Sequence, residues 1–129
     1  MTDTPVTLER LGDAQYLLLT TFRRDGTAVP TPVWSVRDGD SLLVWTVGDS
    51  GKVKRIRRDG TVTVAPCTVR GRPKADPVPA NAILLGPEGG AEAREMIKKK
   101  YGLQGRLFVW SSVRRRGADA TIGIRITLV

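Results

Sequence analysis

YLLLTTFRRDGTAVPTPVWSVRDGDSLLVWTV, residues 16–47, is the stretch that decides the fold. Three apolar runs, YLLLTTF (16–22), TAVPTPVWSV (27–36) and SLLVWTV (41–47), are separated by RRDG and RDGD. Asp-Gly between β-type runs signals a tight hairpin, because glycine accepts the positive φ that such turns demand. The spacing therefore predicts two successive hairpins and a three-stranded antiparallel meander.

The rest of the chain extends the same pattern. TVTVAPCTV (61–69) reads as a fourth strand, and RLFVWSSV (106–113) and TIGIRITLV (121–129) read as two more on either side of RRRGADA. In the last of these Ile122, Ile124, Ile126 and Leu128 share one face while Thr121, Arg125 and Thr127 share the other, so one face is core. GRPKADPVPANAILLGP (71–87) carries four prolines, which predicts a loop leading to a short edge strand near residues 80–85. PEGGAEAREMIKKKYG (87–102) has Glu88 and Glu92 near its start, Lys98 to Lys100 near its end and Gly102 just beyond, the charge order of a helix with a glycine stop. The expected fold is mainly β: a split, partly closed antiparallel barrel of about six or seven strands with two or more short helices, closure being the way short strands lose their exposed edges.

Composition restricts the chemistry. The 129 residues, 40% of them hydrophobic, suit one domain spanning 1–129, and no segment approaches the roughly 18 apolar residues of a membrane span. MTDTPVTLERLGD lacks the basic-then-apolar order of a secretory signal, and the single cysteine, Cys67, has no partner for an internal disulfide, so a cytoplasmic location is expected. Twenty-one basic against thirteen acidic side chains give a formal charge of +8, which favours an anionic partner. There is no histidine. Triads built on imidazole and ordinary zinc sites are thereby excluded, and chemistry carried by a bound organic cofactor is favoured.

The stretch SGKVKRIRR (50–58) follows a strand and places five cations in one short helix, with Ser50 as N-cap. At about 100° per residue Val53 and Ile56 share the buried side, Lys52 and Arg55 flank it together, and Lys54 and Arg58 point away. Lys52 and Arg55 lie where free backbone N–H groups and the positive end of the dipole already favour an anion. They are the phosphate candidates, whereas Lys54, Arg57 and Arg58 read as a solvated face.

YLLLTTFRRDGTAVPTPVW followed by LLVWTVGDSGKVKRIRRDGTVTVAPCTVRGRP resembles the split β-barrel flavin and deazaflavin oxidoreductases, the pyridoxamine 5′-phosphate oxidase-like superfamily. It is most similar to the actinobacterial branch that uses the deazaflavin coenzyme F420. The resemblance implies a homodimer with two cofactor sites between subunits. It places the cofactor phosphate against Thr46, Ser50, Gly51, Lys52 and Arg55, and the ring system along Pro32, Val33 and Trp34. Trp45, Pro66, Cys67 and Arg70 match positions near the same pocket.

Read from the residues alone, Trp45 alternates with Val44 and Thr46 and suits either an aromatic wall or ordinary packing, and Cys67 suits a small buried hydrophobe better than a reactive thiol. Three readings follow: an oxidoreductase using F420, or alternatively flavin mononucleotide, to reduce a small organic acceptor; a non-catalytic protein that stores or delivers the same cofactor; and a nucleic-acid-binding barrel. The last ranks third, because residues 46–60 contain no aromatic side chain for bases to stack on. No membrane partner is expected.

Overall fold

The computed structural model describes residues 7–47, 50–116 and 121–129, with side chains for all of these but 47, 103–116 and 121. In chain order the elements are α1 (Leu8–Asp13), β1 (Tyr16–Phe22), β2 (Ala28–Val33), β3 (Ser35–Asp38), β4 (Ser41–Val47), α2 (Gly51–Arg58), β5 (Thr61–Cys67), β6 (Val78–Leu84), α3 (Pro87–Arg116) and β7 (Thr121–Leu128). The strands form one antiparallel sheet in the order β2-β1-β5-β6-β7-β4-β3.

That order forces the sheet to curl. Laid flat, seven strands about 4.8 Å apart would separate the outer two by roughly 29 Å. Those two, β2 and β3, are joined by Trp34 alone, and two Cα–Cα steps reach at most about 7.6 Å. The edges must therefore come together, which makes a mainly β barrel closed by the chain and not by hydrogen bonds, with a split along the seam.

Both hairpins form where expected. Phe22 lies opposite Ala28 and Asp38 opposite Ser41, with Gly26 at φ 90° and Gly39 at φ 59° in the turns. The three-stranded meander does not form. Residues 27–36 are two strands on opposite edges, and the prolines explain why. Pro30 and Pro32 pair with Thr20 and Leu18 of β1, so their missing N–H groups fall on the side away from it. A third strand there would find two donors absent, and the chain crosses the seam at Trp34 to pair with β4 instead.

Three further expectations are corrected. β5 ends at Cys67, where Gly71 N–H to Thr68 O (2.9 Å) and Thr68 N–H to Arg72 O (2.9 Å) turn the chain. β6 is not an edge strand: it lies between β5 and β7, and Pro79 is tolerated there because it faces Val129, just past the end of β7, whose N–H reaches Pro79 O at 3.3 Å. The run 106–113 is helical and belongs to α3, which breaks at Gly102 (φ 59°, ψ −136°) and resumes. Leu103, Leu107 and Trp110 have the i, i+4, i+7 spacing of a helix, so a four-residue apolar run was too short to indicate a strand. α1 was not anticipated; Thr7 Oγ1 caps it by accepting from Arg10 N–H at 3.1 Å.

The barrel interior is one apolar cluster. Leu17 and Leu19, Leu42 and Val44, Val62 and Val64, Ala80 and Ala82, and Ile124 and Ile126 point inward, as the alternation of the last strand requires. Leu11 of α1 closes the end where β1 begins, and Val53 and Ile56 of α2 close the other. α3 covers the outside of β4, with Ala93 and Ile97 against Leu43 and Trp45. Burying an aliphatic side chain is worth about 1.5–3 kcal/mol, so the helices are held by their apolar stripes. None of the helices is long and apolar enough to cross a membrane among the described residues.

Candidate functional site

α2 carries the densest charge. Val53 is 0% exposed and Ile56 4%, so the helix is pinned by that side, and Lys54, Arg57 and Arg58 are exposed on the rest. Arg58 Nη2 donates to Phe22 O at 2.6 Å, tying the helix to the end of β1. Lys52 and Arg55 are half-buried.

The Arg55 side chain folds back towards the start of its own helix. Its Nε donates to Thr21 Oγ1 at 2.6 Å, and its guanidinium lies over Gly51, where an added Cβ would stand 2.9 Å from Nη1. Glycine at 51 thus leaves room for the guanidinium at the helix entrance. Lys52 sits beside it: burial lowers the lysine pKa from its ordinary value, and the nearby Arg55 charge lowers it further. The described ion pairs are Lys98–Glu95 and Arg125–Asp38, so neither Lys52 nor Arg55 has an acidic partner among the described residues. Two like charges held together at the positive end of a helix, with no counterion among the described residues, form a site that an anion stabilises.

Ser50 is the N-cap residue of α2, with extended backbone (φ −67°, ψ 158°), but its hydroxyl makes no capping bond. Ser50 Oγ is buried and has no hydrogen-bond partner among the described residues. A buried hydroxyl without a partner is costly, and a ligand oxygen there would satisfy it. Gly48 and Asp49, between β4 and Ser50, lie outside the described residues. Thr46 is half-buried near the end of β4, opposite Ile122 and on the inward face.

The remaining candidates fall into two groups. Pro32 lies exposed on the outer face opposite Leu18, and Leu18, Ala65 and Cys67 form a small outer cluster beside it. Gly71, at φ 84°, faces Leu18 and Pro32, where an added Cβ would stand 3.6 Å from each, and Arg70 is exposed in the same turn. Val33 and Pro66 face inward, both opposite Leu17. Cys67 is 2% exposed; burial pushes its thiol up, with Lys74 opposing, so it stays protonated. Trp34 and Trp45 belong to the second group, under α3: Trp45 is 7% exposed in the Leu43–Ile97 cluster, and Trp34 stacks on Tyr101 with ring centroids 4.2 Å apart and planes 7° from parallel.

Thr21 and Pro32 lie on opposite faces of the sheet, Thr21 in the inward row of β1 and Pro32 on the outer face opposite Leu18. Thr21 is three steps along β1 from Leu18, about 10 Å at 3.3 Å per residue. β2 is bonded only to β1, and β3 reaches β4 only as far as Val44, so the seam-facing edges of β2 and of residues 45–47 carry no strand. These unpaired edges border the seam, and Ser50, Lys52 and Arg55 belong to the helix start that follows β4. Gly51, the unpartnered Ser50 hydroxyl and the two cations all fit a phosphate.

Thr21 was missed by the sequence reading, although it occupies the inward row after Leu17 and Leu19, where a threonine at 1% exposure is out of place. Lys100 and Tyr101 were missed as well. They continue the Ala93–Ile97 stripe at i+7 and i+8, which is a usable signal.

No family model and no curated protein matches the chain. Solved structures do. A conserved hypothetical protein from Mycobacterium tuberculosis superposes with a TM-score of 0.68 at 17% identity, over 94% of this chain and 77% of that one. An F420 reductase superposes at 0.62 and 17% identity, over 98% and 96%. HutZ, the heme storage protein from Vibrio cholerae, superposes at 0.64 and 10% identity, over 89% and 82%. At such identities the likeness establishes the fold.

Proposed function

We propose that the protein binds a phosphate-bearing cofactor of the flavin type, preferentially the deazaflavin F420, and passes hydride to a small organic acceptor. The observation that carries this reading is the Lys52–Arg55 couple at the start of α2, without an acidic partner among the described residues and beside the unpartnered Ser50 hydroxyl. The shared fold with an F420 reductase supports the choice of cofactor.

Lys52 and Arg55 would neutralise the phosphate, Ser50 would donate to it, and Gly51 and Thr46 would lie beside it. The ring would lie along the seam-facing edge of β2 at Pro32 and Val33. When bound, the deazaflavin supplies the hydride, so the chain itself has to bind, orient and exclude water. None of those tasks requires a histidine.

A storage role is the second reading, favoured by the fold shared with HutZ. Haem as the stored cargo fits less well, since the chain has no histidine, the commonest axial ligand, and Cys67 is buried with its thiol pushed up. Nucleic acid fits less well, because Trp34, Trp45 and Tyr101 are packed together beneath α3 and not spread over the basic surface.

The test is a titration of the purified protein with F420, flavin mononucleotide and haem, read by fluorescence and absorbance. F420 is expected to bind at least tenfold more tightly than flavin mononucleotide, because the exposed Arg57 and Arg70 suit a tail rich in carboxylates. Its affinity should also fall with salt, as rim charges are screened beyond roughly 8–10 Å. Flavin mononucleotide binding as tightly as F420 would overturn the deazaflavin assignment.

The same reading places two copies around the site. The exposed face of β2 with Pro30 and Pro32, and its unpaired edge, give a second copy something to cover. Light scattering at micromolar concentration should give twice the 14.1 kDa of one chain; a monomer would remove the shared site.

A further inference from the structure

In a closed barrel the open side of β3 would bond to a neighbouring strand. Here α3 takes that place with two side chains. Ser35 N–H donates to Tyr101 Oη at 3.3 Å, and Ser35 O accepts from Lys100 Nζ at 2.6 Å. The same side chains reach the turn between α1 and β1: Lys100 Nζ donates to Gly12 O at 2.8 Å and Ala14 O at 2.7 Å, and Tyr101 Oη donates to Gln15 O at 2.7 Å. One hydroxyl has one proton, so Ser35 O, at 3.2 Å from Tyr101 Oη, is the weaker alternative acceptor. The Lys100 ammonium also lies 5.0 Å from the centre of the Tyr101 ring, whose other partner is Trp34.

Trp34 is the single residue that joins the two edges of the sheet, and Pro32 and Val33 immediately precede it. A clasp on Trp34 and Ser35 therefore fixes how far β2 stands from β4. We infer that Lys100 and Tyr101 are positioning residues for the cofactor ring: they set the width of the split in which the ring lies, without touching it. The inference rests on the proposed cofactor site. Other members of the α3 stripe, Ala93 and Ile97, only pack; these two make directed bonds to four backbone carbonyls and one N–H around the seam. Rigidity of that kind is what a binding slot needs, because a supporting shell that moves by an ångström loses the ligand's geometry.

Tyr101→Phe separates positioning from packing, since it keeps the stack on Trp34 and removes every bond of the hydroxyl. In the cofactor-free protein it should retain the tryptophan band of the near-ultraviolet circular dichroism while Ser35 N–H exchanges with solvent about tenfold faster. In the F420 titration it should raise Kd about five- to tenfold, the equivalent of about one hydrogen bond, and move the absorbance of bound F420 towards that of free F420. Competition by inorganic pyrophosphate at α2 should be unchanged. Tyr101→Leu, which also loses the stack, should do more on both readouts. A Tyr101→Phe variant whose Ser35 exchanges faster but whose bound F420 keeps its spectrum and Kd overturns the inference and leaves the functional reading intact. If the unaltered chain takes up neither F420 nor flavin mononucleotide, the functional reading fails and the inference falls with it.

Discussion

Lys52→Ala is expected to weaken cofactor binding by about 1.5–3 kcal/mol, ten- to a hundredfold or more, while Lys54→Ala changes it by less than about twofold. The two lysines stand about 160° apart around the helix, so one phosphate cannot meet both. Their surroundings differ accordingly. Lys52 is half-buried beside Arg55, and burial and that second charge already disfavour its ammonium, so a phosphate relieves a stress that the free protein carries. Lys54 is exposed and loses little water when a ligand arrives. A surface that gathers anions by charge alone would lose similar affinity from either change, because counterion release depends on the number of cations engaged. Titrating both variants with F420, with thermal melts to confirm folding, distinguishes the cases; equal losses would remove the phosphate site from α2.

The hairpins, the inward row of β7 and the two-sided character of α2 were legible because each depends on residues close in sequence. Asp-Gly fixes a turn locally, and Ile122 to Leu128 declare their face by alternation alone. The seam was not read, although its cause was visible. Pro30 and Pro32 two residues apart forbid a neighbour on one side of β2, and that excludes the middle place a meander would give it. What no local rule supplies is the destination of the chain after Trp34, which depends on β7 pairing with β4 some 80 residues later. For 106–113 the competing signals were a short apolar run and a helical spacing that extends past it, and the longer pattern won.

Site residues divide in the same way. Ser50, Gly51, Lys52 and Arg55 lie in one helical turn, so helix geometry alone brought them together, and the structure keeps them together. Thr21 joins them only because β1 ends against α2, a contact between residues 34 apart in the chain. The Ser50 hydroxyl differs from the sequence expectation of a cap: it makes no capping bond and has no partner among the described residues, which is the stronger hint of a ligand. Trp34 and Trp45 needed α3 in place before their packing could be seen, and the single break at Gly102 is what lets Tyr101 end one helical segment against the seam.

Lys100→Met is expected to destabilise the fold by about 2–3 kcal/mol at neutral pH, and by more as the pH rises. Methionine preserves much of the volume but leaves Gly12 O, Ala14 O and Ser35 O without their donor, at about 1 kcal/mol for each unpaired buried carbonyl. Burial drags the Lys100 ammonium from its ordinary 10.5 down to about 8, with Asp13 opposing. Between those two values the unfolded chain holds the proton and the folded chain has released it, so the native protein gains stability from about pH 8 up to about 10.5 and forgoes that gain as the pH falls through 8. The full displacement corresponds to at most about 3.4 kcal/mol, and the residue's partial contact with water reduces that towards about 1–2 kcal/mol. The variant has no such proton to lose. Urea midpoints for both proteins at pH 7, 9 and 10 isolate the effect, because every other lysine and tyrosine titrates in both and cancels in the difference. A gap that widens with pH supports a depressed Lys100. A gap that stays flat would mean that the three carbonyls hold the proton as firmly as burial expels it, and the clasp on the seam would then keep its charge throughout.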